Sequence, residues 1–278
     1  MSCTKGWHGS AQPVLGDTTK ILPTLPAQLT NHTVFLYLDP FGPTGCSFSL
    51  IEPFLKRDVT YSTEMVIMMH MPVLHRLASR RAVEAGRENE AMIKSRHDRV
   101  TKTLGGDYWQ SIMWDTSPMS TQERENRLIK AYVSKLASYL PYADCCPVRE
   151  GPNTVTKYYI VFVSRHPDAM VIMNDAMYKA YNTRMHQHTW RGTLFENNDW
   201  NDCMSTEGLD DAIIEEVCKT PGLRREDVWA QVVRNNFMKY WESDYKNAVN
   251  RLVECDVLYT TTPHKTKRLN DDCVLFKR

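Results

Sequence analysis

The spacing of apolar and polar positions changes period several times along the chain, and each change marks an element. Residues 1–13 (MSCTKGWHGSAQP) show no period and read as an N-terminal arm. Over 14–29, VLGDTTKILPTLPAQL reads as a short strand, a turn at Gly16-Asp17 and a helix that Pro23 and Pro26 keep brief. TVFLYLDP follows, apolar without interruption from Val34 to Leu38. Such a run suits a strand covered on both faces, as in a parallel α/β sheet. CSFSLIEPFLKRD predicts a helix opened by Ser47 or Ser49. TEMVIMMHM (63–71) predicts the next apolar strand.

Residues 72–104 are charge-rich and favour helix, with a break at Gly105-Gly106 before DYWQSIMW. Ser120-Thr121-Gln122-Glu123 has the capping-box pattern, and Leu128, Ala131, Tyr132, Leu136 and Tyr139 then recur at helical spacing. DCCPVRE and VTKYYIVFVSRH (155–166) read as paired strands, with Asn153 in the turn between them. PDAMVIMNDAMYKAY predicts a helix with Pro167 in its first turn. The strand–helix alternation ends near Tyr181, and 182–208 reads as a polar linker. Residues 209–278 then change character. LDDAIIEEVCK, RREDVWAQVVRNN and SDYKNAVNRLVECD predict three helices, and VLYTT and CVLFKR predict two strands around the basic tip TPHKTKRLNDD. That is the layout of a winged helix-turn-helix. The expected organisation is an arm (1–13), an α/β domain (14–181), a linker (182–208) and a winged helix (209–278).

Composition narrows the function classes. The chain has 278 residues, of which 42% are hydrophobic and 24% charged, an ordinary globular balance. A net charge of +1 excludes binding of nucleic acid or anionic lipid through overall charge, so any basic surface must be local. Eight cysteines are present, with no Cys-x-x-Cys and no Cys/His group at zinc spacing. They read as reduced thiols of a cytoplasmic protein without a metal centre. The N-terminus has no signal-peptide core, and no apolar stretch is long enough to predict a membrane span.

The candidate chemistry lies where strands end. In a doubly wound sheet, strand ends converge on a ligand crevice. Asp17 follows the first predicted strand, and Asp39-Pro40-Phe41-Gly42 follows the second. A carboxylate beside an aromatic ring can accept amine hydrogens from a flat substrate and stack on it. The simpler reading of both is a turn in which Asp bonds its own backbone. His166 in SRHP reads as a base at a strand end or as a cap on the next helix. His186 and His188 lie two apart with no acidic or cysteine ligand at partner spacing, so exposed histidines are the simpler reading. The methionines of 65–71 read as core. Arg76, Arg80, Arg81 and Arg87 form a basic helical face, usually a solvated one. Lys265, Lys267 and Arg268 sit at the expected wing tip, where winged helices touch phosphate, and Lys239, Lys246 and Arg251 extend the patch. The acidic Glu242-Ser243-Asp244 opposes phosphate there, and a protein-binding wing is the alternative.

Two stretches carry a family resemblance. GDTTKILPTLP, TVFLYLDPFGPTGCSFSLIEPFL and EMVIMM resemble the second half of a class I S-adenosylmethionine methyltransferase domain. KYYIVFVSRHPDAMVIMNDAMYK resembles the bacterial three-Cys-motif partner proteins, TcmP, as does DYKNAVNRLVECDVLY. The resemblance covers about residues 14–278 and is most specific over 157–179. It implies a partial Rossmann-like sheet plus a winged helix. It also implies S-adenosylmethionine as cofactor, Asp17 near its adenine, and Asp39, Pro40, Phe41 and Gly42 on the acceptor side. The implied partner is a radical-enzyme-like protein bearing three cysteines, or a second polypeptide that completes the fold. The chain departs from the pattern in two places. No Gly-x-Gly loop follows a strand, and Met69-His70 stands where the family has Asn-Phe. The residues that would hold the ribose and carboxypropyl groups therefore have no counterpart here. A non-catalytic binding subunit is the alternative reading.

Overall fold

The computed structural model describes residues 14–40, 43–80, 89–149, 154–189, 206–261 and 271–278, with 43–44 and 184–189 described by backbone alone. Its centre is a four-stranded sheet of β1 (Val34–Leu38), β2 (Thr63–His70), β3 (Tyr142–Val148) and β4 (Tyr158–Ser164), in the order β1-β2-β4-β3. β1 and β2 are parallel, with Leu38 beside Ile67. β4 is antiparallel to both β2 and β3, with Tyr158 opposite His70 and Val148. Three strands therefore share one direction and β4 alone is reversed.

The helices follow from local signals. Short α1 (Thr18–Ile21) and α2 (Leu25–Gln28) precede β1, and α3 (Phe48–Leu55) links it to β2. α3 starts after Ser47, whose hydroxyl makes no cap bond and lies 3.3 Å from that of Ser49. α4 (Met71–Ala78) leaves β2 directly, and α5 (Glu90–Leu104) starts on an Asn89 cap. α5 stops at Gly105, at φ +70°. A Cβ there would meet the Phe48 ring at 2.5 Å, so both the turn and the packing require glycine. α6 (Trp109–Met113) is short. α7 (Thr121–Ala137) opens on the predicted capping box, with Ser120 and Glu123 each bonding the other's backbone.

Residues of α3, α4, α5 and α7 cover the first face of the sheet, which presents Val34, Leu38, Met65, Ile67, Met69, Tyr159, Val161 and Val163. The second face presents Val66, Met68, Cys146 and Phe162. It packs on α8 (Pro167–Thr189), which runs through the first eight residues assigned above to a linker. α9 (Leu209–Lys219), α10 (Arg225–Asn235) and α11 (Glu242–Glu254) match the three predicted C-terminal helices. β6 (Leu258–Thr260) and β7 (Val274–Lys277) form the expected ribbon, and a two-residue β5 (Leu223–Arg224) joins its other side. Val228, Trp229, Tyr245 and Leu252 of these helices share one continuous core with Met170 and Met177 of α8 and with the second sheet face.

Two expectations about strands are overturned: the short strand expected ahead of Gly16-Asp17 does not form, Val14 and Leu15 being irregular and exposed, and the reading of β1 changes. Among the described residues β1 is an edge strand, not a strand covered on both faces. Phe35 and Tyr37 are 55% and 59% exposed, while Val34 and Leu38 are buried. The Val34 amide donates to the Ser62 carbonyl toward β2, so the backbone groups of Phe35 and Tyr37 point away from it. An apolar run of five residues satisfied the two-sided pattern, but only its even-numbered positions face described core.

Candidate functional site at the carboxyl edge of β1 and β2

β1 and β2 are parallel neighbours, so the residues ending them meet at one edge. Asp39 Oδ1 lies 3.9 Å from His70 Nε2, with both side chains partly exposed. That spacing is longer than a hydrogen bond. His70 also packs its ring against Tyr158, its register partner on β4, at 5.8 Å between centroids. Pro40 lies in an apolar gap with Cys46, Met69 and Leu74. A Cβ on Gly45 would stand 3.0 Å from Pro40 Cβ, so glycine permits the turn at 43–46 to close over the proline. Pro40 is thus packing, and Asp39 is the exposed polar group of the motif. Phe41 and Gly42 lie outside the described residues.

Beside this edge, the second sheet face and α8 form an open, groove-like cavity of about 830 Å³. Its sheet side is Tyr37, Val66, Tyr158 and Ile160, and its helix side includes Met173 and Met177. The cavity exists because α8 covers β3 and β4 and leaves β1 open. Apolar walls with a few phenol groups, in a volume of this order, suit a small planar ligand. Cys146 also lines it, but burial pushes its thiol up to about 12, which removes it as a nucleophile.

The other sequence candidates separate. Asp17 is the N-cap of α1: its Oδ1 accepts from the Thr19 amide at 2.9 Å and hydroxyl at 2.8 Å. Those bonds, the Thr19 hydroxyl first, hold its pKa below the ordinary value. Its carboxylate is therefore engaged locally, as the turn reading expected, although α1 packs against the turn at 43–46. His166 Nδ1 accepts from the Asp168 amide at 3.3 Å, which is the helix-cap reading. Lys265, Lys267 and Arg268 lie outside the described residues, as do the side chains of His186 and His188. Their expected extension along α11 is not a free basic surface. Lys246 pairs with Glu242 at 2.7 Å and Arg251 with Asp210 at 2.5 Å, while Lys239 sits over the Tyr240 ring. Among the described residues, no group of three or more His, Cys, Asp or Glu is placed to hold a metal, and no helix is long and apolar enough to cross a membrane.

Sequence reasoning missed His70 and Tyr158. The available signal was a histidine ending an apolar strand at the same end as Asp39. It also missed a buried pair, His75 Nε2 with Glu125 Oε1 at 2.7 Å, which bridges α4 and α7. Fold and edge together define the chain as a mixed α/β protein with a four-stranded mixed sheet and a small second sheet. No family model, no curated protein and no solved structure matches it.

Proposed function

We propose that this chain is a methyltransferase-like cytoplasmic subunit of the TcmP type that acts in a complex on a planar, nucleobase-like substrate. The observation that carries the reading is the Asp39–His70 contact, whose His70 ring packs on Tyr158, a wall residue of the apolar, tyrosine-bearing cavity. In it, Tyr37 and Tyr158 stack on the substrate ring, the Asp39 carboxylate accepts hydrogens from an exocyclic amine, and the apolar walls exclude water. The parallel β1–β2 pair, joined through α3 and sharing its direction with β3, supports the partial Rossmann-like reading, with the reversed β4 lying inside the sheet between β2 and β3.

The described residues do not fit S-adenosylmethionine by themselves. Asp17 is engaged as a helix cap, and Gly105-Gly106 follows a helix, not a strand. We therefore assign the cofactor site to a second polypeptide, either a chain that completes the sheet along the open edge of β1 or the three-Cys radical-enzyme-like protein. Calorimetry with adenosine and cytidine as amine-bearing probes tests the substrate reading. At least one should bind, and Tyr158→Ala should weaken it about tenfold, the scale of one base stacked on an aromatic ring. No binding of either by the wild-type chain would remove the reading, and S-adenosylmethionine binding by the chain alone would remove the split site.

The second reading is a non-catalytic subunit that uses the C-terminal winged-helix-like unit for nucleic acid or a protein. The engaged Asp17 and absent glycine loop favour it. A salt-dependent affinity for duplex DNA, lost when Lys265, Lys267 and Arg268 become Ala, would support a nucleic-acid wing.

A further inference from the structure

The first sheet face carries a second, polar cavity, of about 760 Å³, that the reading above does not use. It lies between the end of α4, the segment after α6 and the first turn of α7. α4 begins at the carboxyl end of β2. α7 leads into β3, which runs parallel to β2, so the first turn of α7 lies toward the same edge. Tyr159, beside Met69 at the end of β2, fixes this arrangement by donating to Asn126 Oδ1.

Two arginines and a histidine line it from two sides: His75 of α4 and Arg80 just past the end of that helix, and Arg124 of α7. Glu125, with 5% of its side chain exposed, holds His75 Nε2 at 2.7 Å. His75 Nδ1 has no partner among the described residues, and about a third of this side chain is exposed. Arg80 Cζ lies over the Trp114 ring, 4.7 Å from its centroid, and the indole is itself fixed by donating to the Ala78 carbonyl at 3.0 Å. Arg124 Nη1 donates to the Met113 carbonyl, while its Nε is buried without a partner. Neither arginine has a carboxylate partner among the described residues. The acid in the lining is Asp115, which accepts from the Ser117 amide at 2.9 Å, pairs with Arg127 at 3.6 Å and also feels the Arg124 charge at longer range.

We propose that this cavity binds the phosphate group of a small molecule, with Arg80 and Arg124 on its oxygens and His75, oriented by Glu125, donating the third bond. A carboxylate is satisfied by one guanidinium fork. Two guanidinium groups and an imidazole, converging from the end of α4 and the first turn of α7, suit a tetrahedral oxyanion with more than two acceptor oxygens. With phosphate bound, His75 would donate to Glu125 through Nε2 and to the phosphate through Nδ1.

Calorimetry and thermal unfolding of the full chain, at fixed ionic strength, test this with inorganic phosphate, glycerol 3-phosphate and acetate. Phosphate or the phosphomonoester should bind and raise the melting temperature, and acetate should not. Arg80→Gln, at an exposed position where folding is preserved, should weaken binding about tenfold, as loss of one charge-assisted hydrogen bond predicts. Arg124→Gln should weaken it at least as much. Binding of the ester alone identifies an esterified ligand, and binding of both identifies the phosphate group as sufficient. Binding of neither, equal stabilisation by acetate, or binding unchanged in Arg80→Gln would overturn the proposal.

Discussion

Asn174, wholly buried on α8, donates through Nδ2 to the Tyr240 carbonyl at 3.0 Å. Its Oδ1 accepts from the Met238 amide at 2.8 Å, and Met238 is one of the non-glycine residues at positive φ (+64°). One side-chain amide therefore joins the sheet half to the turn between α10 and α11 and stabilises a left-handed residue there. Asn174→Ala removes both bonds and leaves a buried donor and acceptor unpaired. The expected loss is about 2–4 kcal/mol in urea unfolding. A loss below about 0.5 kcal/mol, the range of ordinary surface changes, would show that this amide is not the joint.

The His75–Glu125 pair makes a second stability prediction, separate from any ligand. Glu125 is buried, so His75→Leu leaves a carboxylate without its partner. The cost of breaking a buried pair is several kcal/mol, discounted here to about 2 kcal/mol because the imidazole is a third exposed. His75→Leu combined with Glu125→Leu should recover most of that loss, since two apolar groups need no pairing. A double-mutant cycle by chemical denaturation measures it, and additive single effects would mean the two side chains are not coupled.

These two relationships show where sequence reading stops. β2, α7 and α9 were legible because each carries its own signal: a closed apolar run, a capping box, or a helical period bounded by Gly208 and Thr220. β1 was legible as a strand but not as an edge, because Phe35 and Tyr37 are apolar yet face outward. β5, at two residues, is too short to have a period. α8 continues past Tyr181 through polar residues that a helix tolerates, so composition alone suggested an early end. At the site, Asp39 was legible as a strand end. Its partner His70 and the Tyr158 ring depend on the pairing register between β2 and β4, which no local pattern records. His75 and Glu125 lie 50 residues apart and meet only through helix packing.

Two carboxylates predict opposite responses to acid. Asp144 on β3 is half-buried, and desolvation raises its pKa from the ordinary 3.8, against the Cys145 amide that lowers it. A raised folded pKa means the ionised form is penalised by folding, so stability grows as pH falls through that pKa. Asp144→Asn, which keeps the acceptor for Cys145, should raise the melting temperature at pH 7, and the difference should close below about pH 4. Asp271 is the reverse: its bond from Arg225 lowers the pKa below 3.8. Its contribution is complete above about pH 4 and is lost as pH falls through the depressed folded value. Asp271→Asn should therefore lower the melting temperature at pH 7 and match wild type in strong acid. Thermal melts at pH 7, 5 and 3 check both signs, and gaps of the same sign would contradict the assignment.

The open edge of β1 makes the last prediction. Phe35 and Tyr37 present outward backbone groups and exposed aromatic rings on the same short strand. Edges of this kind pair with other strands unless charge or proline blocks them. The isolated chain should therefore self-associate with rising concentration in sedimentation velocity. Phe35→Lys should suppress this while changing unfolding free energy by no more than about 0.5 kcal/mol, because the ring contacts little of the core. Val34→Ala, one residue away but buried on the first face, should do the opposite: lose about 1–2 kcal/mol of stability and leave association intact. Addition of a polypeptide that completes the sheet should compete with self-association in wild type. Association that survives Phe35→Lys would place the contact elsewhere and remove β1 as the seam.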